Sequence, residues 1–199
     1  MSKVLLIGSG NRDKRAELEQ LLADSTWTVK SLADFDAIAE PEETEETFAE
    51  NALLKAHYYG THYGVACVAD DSGIEVDALG GAPGVYSARY AGEDCSYEDN
   101  NRKLLEALAK IEPDKRGARF VSCAAFVDVD GTEHVELGTV SGRIAQTDSG
   151  SQGFGYDPIF IPDGSDKTFG EFTKKEKAAI SHRGESFRAM CEYLFKREV

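Results

Sequence analysis

Between residues 65 and 76 the chain reads VACVADDSGIEV. The run Val65-Ala66-Cys67-Val68-Ala69 has the length and composition of a buried strand, and it stops at two adjacent carboxylates, Asp70 and Asp71, followed by Ser72-Gly73. No other feature constrains the fold so tightly, because a buried strand commits the chain to a sheet covered by other elements. Asp, Ser and Gly end many strands simply as solvated turn residues. Two abutting carboxylates also repel each other, and they are comfortable only beside a cation or around a shared proton. At the C-terminal end of a buried strand, where α/β proteins place their ligands, a divalent metal ion can be that cation.

The rest of the chain supplies the cover. Residues 3–8 read as a strand, residues 12–23 as a helix with Ala16, Leu18, Leu21 and Leu22 inward, and residues 27–32 as a short strand, which makes a β-α-β opening. Thr47-x-x-Glu50 is a capping box that opens a helix to about Tyr63. After the strand at 65–69 a second short strand is expected at 73–76, then a glycine-rich loop at 80–84 and a helix capped by Ser96 and running to about Ile111. Residues 119–129 and 134–144 alternate around Asp130-Gly131, a hairpin signal. The pair Asp128/Asp130 lacks the remaining ligands of a calcium loop. A last strand at 158–161, a helical turn capped by Thr173-x-x-Glu176, and a final helix from Glu185 with Phe187, Met190, Cys191 and Leu194 on one face complete the pattern. The expected class is α/β on a mixed, twisted sheet, with residues 1–199 as one domain. Three of the four cysteines sit in apolar patterns and none forms a C-x-x-C pair, so buried free thiols are expected rather than a disulfide or zinc site.

Charge narrows the partners. With 22 basic and 36 acidic residues the net charge is 22 − 36 = −14, the wrong sign for general binding to nucleic acid or an anionic membrane. The first apolar run, residues 4–7, is far too short for a signal peptide or a membrane span, so a cytoplasmic protein is expected. Eight acids and no Lys or Arg lie between Ser31 and Leu54, and most of them read as a solvated loop or face. A chain this acidic can hold a polyanion only by gathering its positive charges in one place.

Four stretches could do the gathering. Ser9-Gly10-Asn11-Arg12-Asp13-Lys14 joins a strand to a helix, where exposed backbone N–H groups and a lysine one turn in suit an anion; a tight turn capped by Asn11 explains the residues equally well. It is neither a P-loop nor a complete dinucleotide fingerprint, whose third glycine is missing. Lys55 falls on the shoulder of the apolar arc Phe48, Ala52, Ala56, Tyr59, Tyr63, with Asn51 one turn earlier. It is either a snorkelling surface lysine or an electrostatic partner of Asp70/Asp71. In Gly153-Phe154-Gly155-Tyr156-Asp157-Pro158 the aromatics are packing plugs or a stacking platform for a planar base, with Asp157 reading its edge. Lys174-Lys175-Glu176-Lys177 and Ser181-His182-Arg183 concentrate donors at a helix start, suited to an anion or a keto oxygen.

Six motifs occur in order: S-G-N-x-x-K at 9–14, E-N-A-L-L-K-A at 50–56, A-D-D-S-G at 69–73, L-G-G-A-P-G-V-Y-S-A-R-Y at 79–90, G-F-G-Y-D-P at 153–158 and E-K-A-A-I-S-H-R at 176–183. Together they closely resemble the inosine/xanthosine triphosphate pyrophosphatase family over nearly the whole chain. Ser9 stands where many members carry Thr, and the hydroxyl is kept. The resemblance implies an elongated, two-lobed ITPase-like α/β fold with the site in the cleft between lobes, a homodimer, and Mg²⁺. It implies hydrolysis of non-standard purine nucleoside triphosphates (ITP, dITP, XTP) to monophosphate and pyrophosphate, which keeps them out of DNA and RNA. Asp71 is then similar to the family's metal-linked general base, with Asp70 and Glu43 (or its neighbour Glu42) as further metal carboxylates. Ser9, Asn11, Lys14, Lys55 and Ser72 become the expected phosphate contacts, Gly10, Arg12 and Asp13 beside them count as substrate-binding, and Phe154, Gly155, Tyr156, Asp157, Lys177, Ser181, His182 and Arg183 form the base site. Two other readings compete. A nicotinamide-dependent enzyme needs the missing glycine, and a non-catalytic nucleotide sensor on the same fold has no need of the carboxylates.

Overall fold

The computed structural model describes residues 3–9 and 12–197, apart from the side chains of Arg12, Asp13, Lys14, Arg15 and Glu17. β1 (Lys3–Ile7) is buried at Leu5, Leu6 and Ile7 in succession, as a strand covered on both faces must be. α1 (Arg12–Leu21) carries the chain over to β2 (Trp27–Ser31), which pairs in parallel with β1, Lys3 opposite Trp27. The expected β-α-β opening is therefore present, with one correction. Leu18 and the following Leu22 are buried, whereas Ala16 is exposed.

α2 (Phe48–Tyr63) starts at Thr47, whose hydroxyl oxygen accepts the Glu50 N–H at 3.2 Å, and ends at Gly64 in the left-handed region, φ 65°. β3 (Ala66–Val76) follows at once. The sequence pattern ends this strand at the two aspartates and begins another at Gly73. The structure instead runs a single eleven-residue strand through Asp70 and Asp71. Backbone pairing and a compensating cation from α2 allow what the carboxylates alone would forbid.

The short β4 (Pro83–Gly84) pairs antiparallel with β3, and α3 (Tyr97–Ala107) has a full capping box between Ser96 and Asp99, stopping earlier than the predicted Ile111. β5 (Gly117–Val127) and β6 (Glu133–Ile144) form the predicted hairpin, with Gly131 at φ 83° in the turn. β7 (Phe160–Pro162) pairs antiparallel with β6. α4 (Lys174–Ile180) has the Thr173/Glu176 capping box, and α5 (His182–Lys196) begins three residues before the predicted Glu185. The sheet runs β2-β1-β3-β5-β6-β7 with β4 beside β3, mixed as expected.

Two compact units share these strands. The first comprises the chain up to Asp71, Ser122–Gly138 and the chain from Glu185; the second comprises Ser72–Val121 and Thr139–Gly184. In the first, α5 lays Phe187, Met190, Cys191 and Leu194 against Leu5, Ile7, Val68 and Phe126. In the second, Phe120, Phe160 and Phe169 pack with Ile74, Leu104 and Ile144. Cys67, Cys123 and Cys191 are buried free thiols, and burial pushes the Cys67 thiol up to about 12, which leaves it unreactive. Among the described residues no helix is long and apolar enough to cross a membrane.

Candidate active site

In the first unit, helix α2 aims a lysine at the strand carboxylates. Lys55 Nζ donates to Glu43 Oε1 at 2.7 Å and to Asp71 Oδ1 at 3.1 Å, so it is the electrostatic partner rather than a solvated lysine. Glu43 belongs to the irregular acidic segment before α2, and its neighbour Glu42 is exposed. Burial disfavours the charge on Lys55, yet Asp71, then Glu43 and Asp70, outweigh it and hold the ammonium above its ordinary pKa. Asp71 is 8% exposed. Burial pushes its carboxyl above the usual carboxylate value, Lys55 opposes this, and Glu43 and Asp70 add to the rise.

One oxygen of that group is left over. Asp71 Oδ2 is buried and has no hydrogen-bond partner among the described residues. A buried carboxylate oxygen without a donor is costly unless something else binds it, such as a water or a cation. Lys55 and Glu43, with Gly8, Ser9, Tyr59 and Asp70, contribute to the lining of a polar cavity of about 200 Å³. Tyr59 is pushed up to about 12 by burial and stays neutral. A Cβ on Gly8 would stand 3.0 Å from Tyr59 and 3.1 Å from Cys67, close enough that those side chains would have to shift. Lys55 stands between Glu43 and Asp71, and among the described residues no three His, Cys, Asp or Glu side chains converge as a ready metal site. The donor set is nevertheless all oxygen, which suits a hard divalent cation, and the unpartnered Oδ2 is where one fits. Gly10 and Asn11 lie outside the described residues. So do the side chains of Arg12, Asp13 and Lys14, although their backbone opens α1.

In the second unit, Phe154 stands 43% exposed, and Gly153 and Gly155 on either side of it have φ 76° and 62°. The Lys177 ammonium lies 4.8 Å and the Arg183 guanidinium carbon 5.7 Å from its ring centre, both within cation–π range. Arg183 also donates to Ser72 Oγ at 3.1 Å, which ties the predicted phosphate-side serine to the predicted base-side arginine. Asp157 is not a free edge-reading group. It is 1% exposed, accepts the Phe154 N–H at 2.9 Å, and is ion-paired with Lys177. Tyr156 is likewise internal, its hydroxyl donating to the Ser87 carbonyl at 2.8 Å. His182 is buried and stacks on Phe120, ring centres 4.8 Å apart and 7° from parallel. Ser181 accepts the Gly184 N–H at 3.0 Å, a local cap at the start of α5 that its sequence position, three residues before Gly184, could have revealed.

The sequence model of the Ham1 family matches residues 5–193. A dITP/XTP pyrophosphatase of Exiguobacterium sibiricum is 45% identical over 186 residues, 94% of each chain, and one of Yersinia pseudotuberculosis is 45% identical over 196 residues, 98% of each. Among solved structures, the Staphylococcus aureus Ham1 protein superposes with a TM-score of 0.91 at 39% identity, covering 98% of this chain and 100% of that one. The nucleoside-triphosphatase / dITP/XTP pyrophosphatase of Mycobacterium abscessus gives 0.83 at 44% identity, covering 96% and 99%.

Proposed function

The chain belongs to the Ham1 family, and on that premise we propose that it hydrolyses non-standard purine nucleoside triphosphates (ITP, dITP and XTP) between the α- and β-phosphates, releasing monophosphate and pyrophosphate. One observation carries the chemistry: Asp71, buried with one oxygen on Lys55 and the other left open. A carboxylate in that state can hold a water molecule at its second oxygen and take up its proton. Lys55 keeps its charge and offsets negative charge that develops on the phosphates. Ser9 and Ser72, with Asn11 and Lys14 from the strand-to-helix turn, are the remaining phosphate contacts in this reading.

Mg²⁺ would be the metal in this reading, with Asp71, Asp70 and Glu43 as the carboxylates that would hold it, and it would supply Lewis-acid stabilisation of the phosphate oxygens. Glu43 is preferred to Glu42 because it is the one that reaches Lys55. Base selection belongs to the second set. Phe154 offers a ring face, and Lys177 and Arg183 beside it offer donors. Hypoxanthine and xanthine present a 6-keto acceptor to such donors, whereas adenine presents an amino group, and a buried donor facing it is left unpaired. Asp157 acts at one remove, fixing the Lys177 ammonium and the Phe154 backbone. A cytoplasmic homodimer is the setting that the family resemblance suggests.

The test is pyrophosphate release from ITP, dITP, XTP, GTP and ATP, with Mg²⁺ and with a chelator. The expected result is turnover of the first three, abolished by chelation. Binding of ITP with no turnover under any metal would replace the enzyme with the sensor reading.

A further inference from the structure

Asn51 is used by none of the chemistry above, yet it is completely buried one helical turn before Lys55. Its amide grips the peptide of a residue six positions earlier. Oδ1 accepts the Glu45 N–H at 3.1 Å, and Nδ2 donates to the Glu45 carbonyl at 3.4 Å. Glu45 is two residues from Glu43, the carboxylate that meets Lys55. Helix α2 therefore both fastens the acidic segment, through Asn51, and receives its working carboxylate, through Lys55.

The segment needs such a fastening. Glu40, Glu42, Glu43, Glu45 and Glu46 repel one another, and like-charged segments left to themselves extend into solvent. Tyr58 and Tyr63 hold its earlier part, donating to the Ala39 and Asp36 carbonyls at 2.9 and 2.5 Å. Nearer Glu43, Asn51 supplies a directional bond that involves no charge, so it survives whatever cation or anion enters beside Lys55.

We propose that Asn51 is a positioning residue of the hydrolytic reaction: by pairing with the Glu45 peptide it holds Glu43 in reach of Lys55 and Asp71. This rests on the reading of Glu43 as a working carboxylate, and the experiment separates the two. Asn51→Leu keeps the buried volume and removes both bonds. Glu43→Gln and the double variant complete a cycle, assayed on ITP at saturating Mg²⁺. Asn51→Leu is expected to lower kcat about tenfold with KM within about twofold, and to cause no further loss in the Glu43→Gln background. In the metal-free protein, exchange of the Glu45 amide hydrogen should quicken by roughly tenfold or more in Asn51→Leu. Should that variant not fold, Asn51→Asp, which keeps the shape and the acceptor for the Glu45 N–H but loses the donor, enters the same cycle and is expected to lose a smaller part of kcat. Equal losses in both backgrounds, or unchanged exchange at Glu45, overturn the positioning role while leaving the hydrolytic reading intact. Wild-type turnover in Glu43→Gln alone overturns the role assigned to Glu43, and the proposal with it.

Discussion

Asp71→Asn should make the protein more stable and nearly inactive at once. In the metal-free protein the Asp71 carboxylate is 8% exposed, and among the described residues only one of its oxygens has a partner. Burial raises its pKa above the ordinary 3.8 despite Lys55. A carboxyl that binds its proton more tightly when folded loses stability for the native state as pH rises from 3.8 through the folded value, and the loss is complete above that value. The amide is isosteric, carries no charge, and still accepts from Lys55. Two contributions oppose each other. Releasing one buried ion returns several kcal/mol, Lys55 having already offset much of it. Turning the charge-assisted bond from Lys55 into an ordinary one loses about 1–2 kcal/mol. The raised pKa says that the first is larger, so a net gain of about 1 kcal/mol is expected, or roughly 2–4 °C in Tm for a chain of this size. The gain should shrink as the pH is lowered toward 3.8, where the wild-type carboxyl is itself protonated. Activity moves the other way, by about 10²–10⁴ in kcat, as loss of a general base dictates. Thermal melts in chelator at pH 7 and pyrophosphate release from ITP with Mg²⁺ are the two measurements. A lowered Tm, or kcat within threefold of wild type, refutes the argument.

Lys177→Met leaves the buried Asp157 carboxylate with the Phe154 N–H as its remaining partner among the described residues, and should lower Tm by roughly 6–12 °C, from about 3 kcal/mol for a broken buried pair; adding Asp157→Asn should recover part of the loss, and a drop under about 2 °C tells against the pairing. Arg183→Ala should reduce kcat/KM for ITP by roughly tenfold to a hundredfold, from about 1–3 kcal/mol of lost recognition, and leave the poor ATP reaction within about twofold; equal losses on both nucleotides would place Arg183 on the phosphates instead.

Much of the fold was legible because its signals are local. Thr47, Ser96 and Thr173 each announce a helix start within three residues, and Asp130-Gly131 announces the hairpin. The errors came where the deciding partner is distant. Nothing near Asp70 and Asp71 says that a strand can continue through them, because the neutralising Lys55 is sixteen residues from Asp71. Asp157 looked like a reader of the base edge because Lys177, twenty residues on, is what draws it inward. Periodicity alone places Ala16 inward, and its small apolar surface lets the helix turn it to solvent. The motifs group the expected phosphate-side and base-side residues, but which side chain holds which within each group needed distances.

The two carboxylates that flank Lys55 are anchored in different ways. Asp71 is part of β3, which lies between β1 and β5 in the sheet, so displacing it means breaking a backbone ladder. Glu43 lies on an irregular segment fastened by a few side-chain bonds, the paired contacts of Asn51 and the hydroxyls of Tyr58 and Tyr63. Openings of the second kind lie far lower in free energy than openings of the first. As the temperature rises, Glu43 should therefore leave Lys55 while the sheet is still whole. The protein will lose turnover reversibly over a range in which its circular dichroism reports no change, and cooling will restore it without any refolding.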